Sequence, residues 1–270
     1  MTIDSGERYA FDNEWLAGRE RLAAAEQLLD PGTFRNLELL GVGEGWQCLE
    51  VGAGGGSVAR WLCNKVGGNG RVTATDIDTR FLDAAGEQNL EAVEHDLCRD
   101  ELPAGAYNLV HARLVLEHLP ERNAVLGKLA NALKPGGWLL VEAVDYVSGV
   151  PISRLGARLH RRTQAARLRM MRGAGLNPEY GRTLPRELRA NGLTQVGAEG
   201  RAWIMEGGSA GARWFRLSMA QLRQRLVQEG GVDDAEVEQM LEMFENPDFA
   251  AWTPVILAAW GQAVNAGKQL

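Results

Sequence analysis

From Trp46 onward the apolar residues come in short runs separated by amphipathic stretches: QCLEV, SVARWLCNKV, RVTATD, TRFLDAAGEQN. Runs of five or six apolar and β-branched positions predict strands, and apolar residues three and four apart predict helices. The alternation is that of a parallel sheet covered by helices. It continues through LEAVEHD, YNLVHA, the helical AVLGKLANAL and, after a Lys134-Pro135-Gly136-Gly137 turn, WLLVEAV. Before Trp46 the chain reads as helix, with RERLAAAEQLLD and TFRNLELL on either side of Asp30-Pro31. After Asp145 the rhythm breaks. Residues Pro151 to Arg189 are rich in arginine and poor in acids and predict a helical insertion. Strand-like TQVGAEGRAWIM follows, then helical GARWFRLSMAQLRQRLVQEG and DDAEVEQMLEMFEN, the latter opened by Asp233 and Asp234 as N-caps, and a last strand in PVILAAWGQAV.

The pattern predicts an α/β fold of Rossmann-like, doubly wound type. The alternation, TQVGAEGRAWIM and PVILAAWGQAV together give a mostly parallel, seven-stranded sheet, with helical insertions as a lid. Along the chain this gives a helical cap over 1–45, a core over 46–145, and the lid with the final strands over 146–270, in one continuous domain. At 270 residues with 45% hydrophobic and 24% charged positions, disorder and fibrous classes are excluded. The net charge of −6 disfavours nucleic acid as a partner. Cys48, Cys63 and Cys98 form no CxxC or CxxH pattern, so neither a disulfide framework nor a metal site is expected. The opening MTIDSGERYAFDNEW lacks the form of a signal peptide, and no run is long enough to cross a bilayer, so the expected location is cytoplasmic without membrane attachment.

The strongest chemical signal is LEVGAGGGSVARWL, in which a strand ends at Glu50-Val51 and a helix starts directly after Gly52-Ala53-Gly54-Gly55-Gly56. Such a loop lets backbone approach a ligand closely. A dinucleotide fingerprint would place its third glycine where Ser57 stands. Glu50 beside the loop suits a cationic group better than a pyrophosphate. At the end of the second strand, Asp76 lies where an acid accepts hydrogen bonds from both ribose hydroxyls. At the end of the third, Asp96 is placed to accept from an adenine amine, with Ile77 and Leu97 as apolar faces for the ring.

These elements, together with YNLVHARLVLEHLP and LKPGGWLLVEA, resemble the class I S-adenosylmethionine-dependent methyltransferases over about residues 46–145. The resemblance implies S-adenosylmethionine as cofactor and S-adenosylhomocysteine as product. It implies a cofactor site of Glu50, Gly52, Ala53, Gly54 and Gly56 around the aminoacid part, Asp76 with Ile77 at the ribose, and Asp96 with Leu97 at the adenine. Ala112, Arg113 and Leu114 match the stretch that lines the sulfonium. The segments around DP-T-R-LE-LG and HARLVLEHLP look like bacterial enzymes that methylate small molecules, often in secondary metabolism.

For the chemistry itself, His118 and Glu117 are the candidate catalytic pair: His118 lies one helical turn beyond Leu114, on a face shared with it, and a histidine near neutrality can take a proton from a hydroxyl or amine. His111, Asp145 and Tyr146 are further candidates. A sulfonium is already an activated donor, so positioning and desolvation alone are an alternative to any base. Arg154, Arg158, Arg161, Arg162, Arg167, Arg169 and Arg172 form either a solvated helix face or a lid that recognises an anionic substrate. Tyr9, Phe11 and Trp15 suit a cap or a homodimer contact, and Trp203, Trp214, Phe215, Met219 and Trp252 suit the core or the wall of a pocket for an aromatic substrate. Two rival functions stay open: a cofactor-binding protein that catalyses a non-methylating step such as a cyclisation, and a nicotinamide-dependent oxidoreductase.

Overall fold

The computed structural model describes residues 17–82 and 87–264. Tyr9, Phe11 and Trp15 lie outside the described residues. The chain divides into two compact units. One comprises 29–144, 180–200 and 256–264, and the other 17–28, 145–179 and 201–255.

The first unit is built on a seven-stranded sheet. Its strands are β1 (Gln47–Val51), β2 (Arg71–Asp76), β3 (Leu90–Glu94), β4 (Tyr107–Arg113), β5 (Leu133–Asp145), β7 (Thr194–Arg201) and β10 (Val255–Gln262), in the order β3-β2-β1-β4-β5-β10-β7. The pairs β1–β2, β1–β4, β2–β3 and β4–β5 are parallel. The order reverses between β1 and β4, and ligands of such sheets bind beyond the carboxyl ends at this switch.

The Lys134-Pro135-Gly136-Gly137 turn of the sequence reading is instead a bulge inside β5. Gly136 has φ 77°, its N–H donates to Ala263 O, and the Ala263 N–H donates to Gly137 O. That is the glycine-led bulge of an antiparallel pair, so the last strand runs against β5. Similarly, the expected helix at TRFLDAAGEQN has only a 3-10 turn, Thr79–Phe81, among its described residues, opened by Asp78 accepting from the Arg80 N–H. Ahead of the sheet, helix α1 (Gly18–Leu39) runs unbroken through Pro31.

Period-two alternation sends neighbouring side chains to opposite faces of the sheet. Leu49, Val51, Val110, Ala112, Leu139, Val141 and Ala143 join one core with helices α3 (Arg122–Asn131) and α5 (Tyr180–Ala190). Cys48, Leu109 and Leu140 join the other, with Leu37 of α1 and Val58, Ala59, Leu62, Cys63 and Val66 of helix α2 (Ser57–Val66). The spacing of these α2 residues is the apolar stripe read from the sequence.

The second unit carries helices α4 (Ala157–Gly173), α6 (Ala210–Gln221), α7 (Arg223–Glu229) and α8 (Asp234–Met243). Of the two expected N-caps of α8, Asp233 is the one used: it accepts from the Glu236 N–H while Glu236 accepts from the Asp233 N–H, a capping box. The TQVGAEGRAWIM run is not one strand. It splits into β7 and β8 (Ile204–Glu206), and β8 joins a three-stranded sheet with β6 (Val150–Pro151) and β9 (Ala250–Trp252).

Candidate functional site

At the carboxyl end of β1 the chain makes a tight turn through Gly52, Gly54 and Gly56, with φ of 65°, 54° and 80°. These values favour glycine. At Gly52 the space is closed as well, since a Cβ there would meet Val115 Cγ2 at 2.3 Å. The turn is pinned by the Ala53 N–H donating to Thr75 O at 3.0 Å and the Gly56 N–H donating to Ala53 O at 2.8 Å. Helix α2 begins at Ser57, whose hydroxyl donates to Asp30 of α1 at 3.0 Å.

Asp76 lies against this turn. Its carboxylate accepts from the Gly54 N–H at 2.9 Å and the Asp78 N–H at 3.1 Å. Burial raises its pKa above the ordinary carboxylate value, against the pull of these N–H groups. Ile77 beside it is 41% exposed, an apolar surface open for a ring. Asp96 caps the turn after β3: its carboxylate accepts from the Cys98 N–H at 2.9 Å and approaches Arg99 at 3.5 Å, while Leu97 is buried beneath. The glycine turn, the acid at the end of β2 and the exposed apolar face of Ile77 fit a nucleoside cofactor.

Strand register places Glu50 beside His111, and Arg113 beside Glu142, all on the face covered by α1 and α2. The His111 Nδ1 lies 2.6 Å from Glu50 Oε2, and its Nε2 lies 3.4 Å from Glu142 Oε2. Thr33 of α1 donates to Glu142 at 2.5 Å and accepts from Arg113 at 2.9 Å, and Arg113 pairs with Asp30 at 2.9 Å. Burial would lower the pKa of His111, but the Glu50 charge, the two carboxylate hydrogen bonds and the Glu142 charge push it up to about 9. Burial raises the Glu142 carboxyl, but the His111 hydrogen bond and charge carry it below its ordinary value. An imidazolium therefore joins two buried carboxylates across β1, β4 and β5.

The carboxyl end of β4 carries Ala112, Arg113 and Leu114. Ala112 is buried, Arg113 is held in the network just described, and Leu114 has φ 58°, a strained value for a branched side chain that costs roughly 1–2 kcal/mol. Its N–H is held by Glu142 O at 2.8 Å. The expected helical face shared by Leu114 and His118 is therefore absent, because the left-handed residue precedes a separate 3-10 turn, Leu116–His118. Glu117 in that turn is fully buried. Its Oε1 accepts from the Val144 N–H at 3.2 Å, and its Oε2 has no hydrogen-bond partner among the described residues. Burial pushes its pKa up to about 7. The buried hydroxyl of Tyr180 also lacks a partner among them, and burial followed by the Glu117 charge raises its pKa. His118 is almost fully buried.

Pattern reading did not single out Glu142, Thr33, Asp30 or Tyr180. The signal was there for Glu142: it and His111 are polar residues inside the apolar runs LLVEAV and LVHA, three and two residues before the ends of β5 and β4. The network they form needs the register of three strands, which the linear sequence does not contain. Among the described residues no group of His, Cys, Asp and Glu side chains could hold a metal ion, and no helix is long and apolar enough to cross a membrane.

Residues 8–197 match the profile of the methyltransferase domain family. The chain is 30% identical over 154 residues to methyltransferase str2 of Strobilurus tenacellus, covering 56% of this chain and 54% of that protein. It is 31% identical over 117 residues to the ubiquinone biosynthesis O-methyltransferase of Bordetella avium, covering 40% of this chain and 46% of that one. The chain thus spans about half the length of the curated relatives it matches. Among solved structures, its fold is similar to phosphoethanolamine N-methyltransferase 2 of Haemonchus contortus, with TM-score 0.51 and 15% identity over 96% of this chain and 55% of that one. With its seven-stranded sheet, its glycine turn at the β1–β4 switch and a profile match over more than half its length, the chain belongs to the methyltransferase domain family.

Proposed function

We propose that the protein transfers a methyl group from S-adenosylmethionine to an oxygen, nitrogen or carbon nucleophile of a small molecule. The observation that carries the reading is the pairing of a closed glycine turn with an acid that accepts from it, Asp76, and an exposed apolar face at Ile77, all at the carboxyl ends of β1 and β2. Family membership supports the same activity. Similarity to the ubiquinone biosynthesis O-methyltransferase supports a small molecule rather than a macromolecule as acceptor.

Gly52, Ala53, Gly54, Gly56 and Glu50 would hold the aminoacid end of the cofactor, Asp76 its ribose, and Ile77, Asp96 and Leu97 its adenine. Bound there, the cofactor supplies a methyl already activated on a sulfonium. Arg113 and Leu114 lie at the end of β4, where the strained backbone of Leu114 fixes the direction of the chain. Glu117 offers an unpartnered carboxylate oxygen with a pKa near neutrality, the property required to take a proton from an acceptor hydroxyl or amine. His118 adjoins it in the same turn.

A thermal-shift comparison tests the reading. S-adenosylhomocysteine at about a hundred times its dissociation constant adds about 2.7 kcal/mol to stability. That raises Tm by several degrees, whereas NAD leaves it unchanged. A rise with NAD and none with S-adenosylhomocysteine would replace this function with the oxidoreductase alternative.

A further inference from the structure

Seven arginines lie between Ser153 and Gly173, and they do not share one environment. Arg154, Arg158, Arg161, Arg162, Arg169 and Arg172 are exposed, as a solvated helix face requires. Arg167 falls on the opposite face of α4 with His160, Thr163, Met170 and Met171, and is only 4% exposed. Its guanidinium carbon lies 5.3 Å from the ring centroid of Tyr146 and 5.3 Å from that of Phe215. Aromatic faces favour a planar cation but do not accept its hydrogen bonds in the ring plane.

Both Nε and Nη2 of Arg167 are buried with no hydrogen-bond partner among the described residues. Among those residues no carboxylate offsets its charge: burial acts against the cation, and the group that favours it is Tyr146. The field around it is correspondingly positive, because burial, Arg167 and Arg161 together push His160 down to about 4. Arginine does not relieve such a position by losing its proton, and a buried charge without a partner is strongly unfavourable. The chemistry of the two open donors is specific. Nε–H and one Nη2–H point the same way from one edge of the guanidinium, the fork that takes both oxygens of a carboxylate. The surroundings are aromatic: Phe215 packs on Trp214 at 5.1 Å and on Phe244 at 6.4 Å, and the Trp214 Nε1 is a further buried donor without a partner.

We propose that Arg167, itself held against Tyr146 and Phe215, anchors the carboxylate of a ligand whose body is aromatic or otherwise apolar. The site stands on these residues alone; the assignment of its ligand as the methyl acceptor rests on the methyl-transfer reading.

The test uses the full chain with benzoate and phenylacetate as probes, benzamide as a neutral match for benzoate, and inorganic phosphate as an anion without an apolar body. Binding is followed by calorimetry and thermal shift in wild type, Arg167→Met and Arg167→Lys, each also titrated with S-adenosylhomocysteine. The expected result is that the carboxylates bind wild type at least tenfold more tightly than benzamide or phosphate. Both variants lose at least tenfold of that affinity and keep wild-type affinity for S-adenosylhomocysteine. Ligand-free Arg167→Met melts no lower than wild type, because it removes an unpaired buried charge. Equal binding of benzoate and benzamide, unchanged benzoate binding in both variants, or a lower ligand-free Tm in both variants would overturn the proposal. Failure of the wild type to bind S-adenosylhomocysteine would count against the methyl-transfer reading and leave the carboxylate comparison to decide the site.

Discussion

Replacing His111 with Asn removes the cation that joins Glu50 to Glu142 and leaves two carboxylates buried side by side. Taking one partner from a buried ion pair costs about 3–5 kcal/mol. The shift of His111 gives a second route to the magnitude. Its pKa stands at about 9 against an ordinary 6.5. At about 1.4 kcal/mol per pH unit, this amounts to about 3 kcal/mol. A folded-state pKa raised above the unfolded one contributes stability that is complete below pH 6.5 and is lost as pH rises through 9. Wild type should therefore exceed His111→Asn by about 3 kcal/mol at pH 6, or roughly 6–12 °C in Tm, and by much less at pH 9.5. Calorimetric or circular-dichroism melts of both proteins at the two pH values measure this directly. A gap that stays the same size at both, or is absent at pH 6, would refute the protonated bridge.

Glu117→Gln should act in the opposite sense. The Glu117 carboxyl is raised from 4.5 to about 7, so the unfolded chain ionises first and wild type loses stability as pH climbs through that interval. The variant should be the more stable at pH 8, by up to about 3 kcal/mol. The two proteins should be matched near pH 4.5, and a wild-type advantage at pH 8 would show that Glu117 is paired rather than stranded. Under the proposed chemistry the same variant loses methyl transfer, with the loss largest where wild-type Glu117 is ionised. Gly52→Ala forces a Cβ into Val115 at φ 65° and should cost roughly 1–3 kcal/mol. Trimming Val115 to Ala in the same chain should recover part of that loss, and a Gly52→Ala protein as stable as wild type would mean that the turn is not closed.

The β-α alternation from QCLEV to WLLVEAV was legible because its apolar runs fall at strand length and because SVARWLCNKV carries a buried helical stripe. The glycine turn and Asp76 were legible because their chemistry is local: consecutive glycines at positive φ, and an acid at the next strand end. What escaped depends on register or on burial. Glu50, His111 and Glu142 meet across three strands, so no window of sequence contains them. The Pro135-Gly136-Gly137 segment carries turn residues, yet pairing with Ala263 absorbs them as a bulge. Arg167 has the same composition signal as the six arginines around it, and only its helical phase, with His160, Thr163 and Met170, separates it from them. TQVGAEGRAWIM reads as a single β run because Ala202 and Trp203, between β7 and β8, are not turn residues.

The central claim is that the glycine turn and Asp76 form a cofactor site for S-adenosylmethionine. Isothermal titration of wild type and Asp76→Ala with S-adenosylmethionine, S-adenosylhomocysteine and NAD tests it most directly. The account predicts micromolar binding of both sulfur nucleosides by wild type and none of NAD. Asp76→Ala forfeits charge-assisted hydrogen bonds worth about 1.5–3 kcal/mol each, so its affinity should fall at least tenfold. Binding of NAD in place of both nucleosides, or equal affinity in the variant, would contradict it.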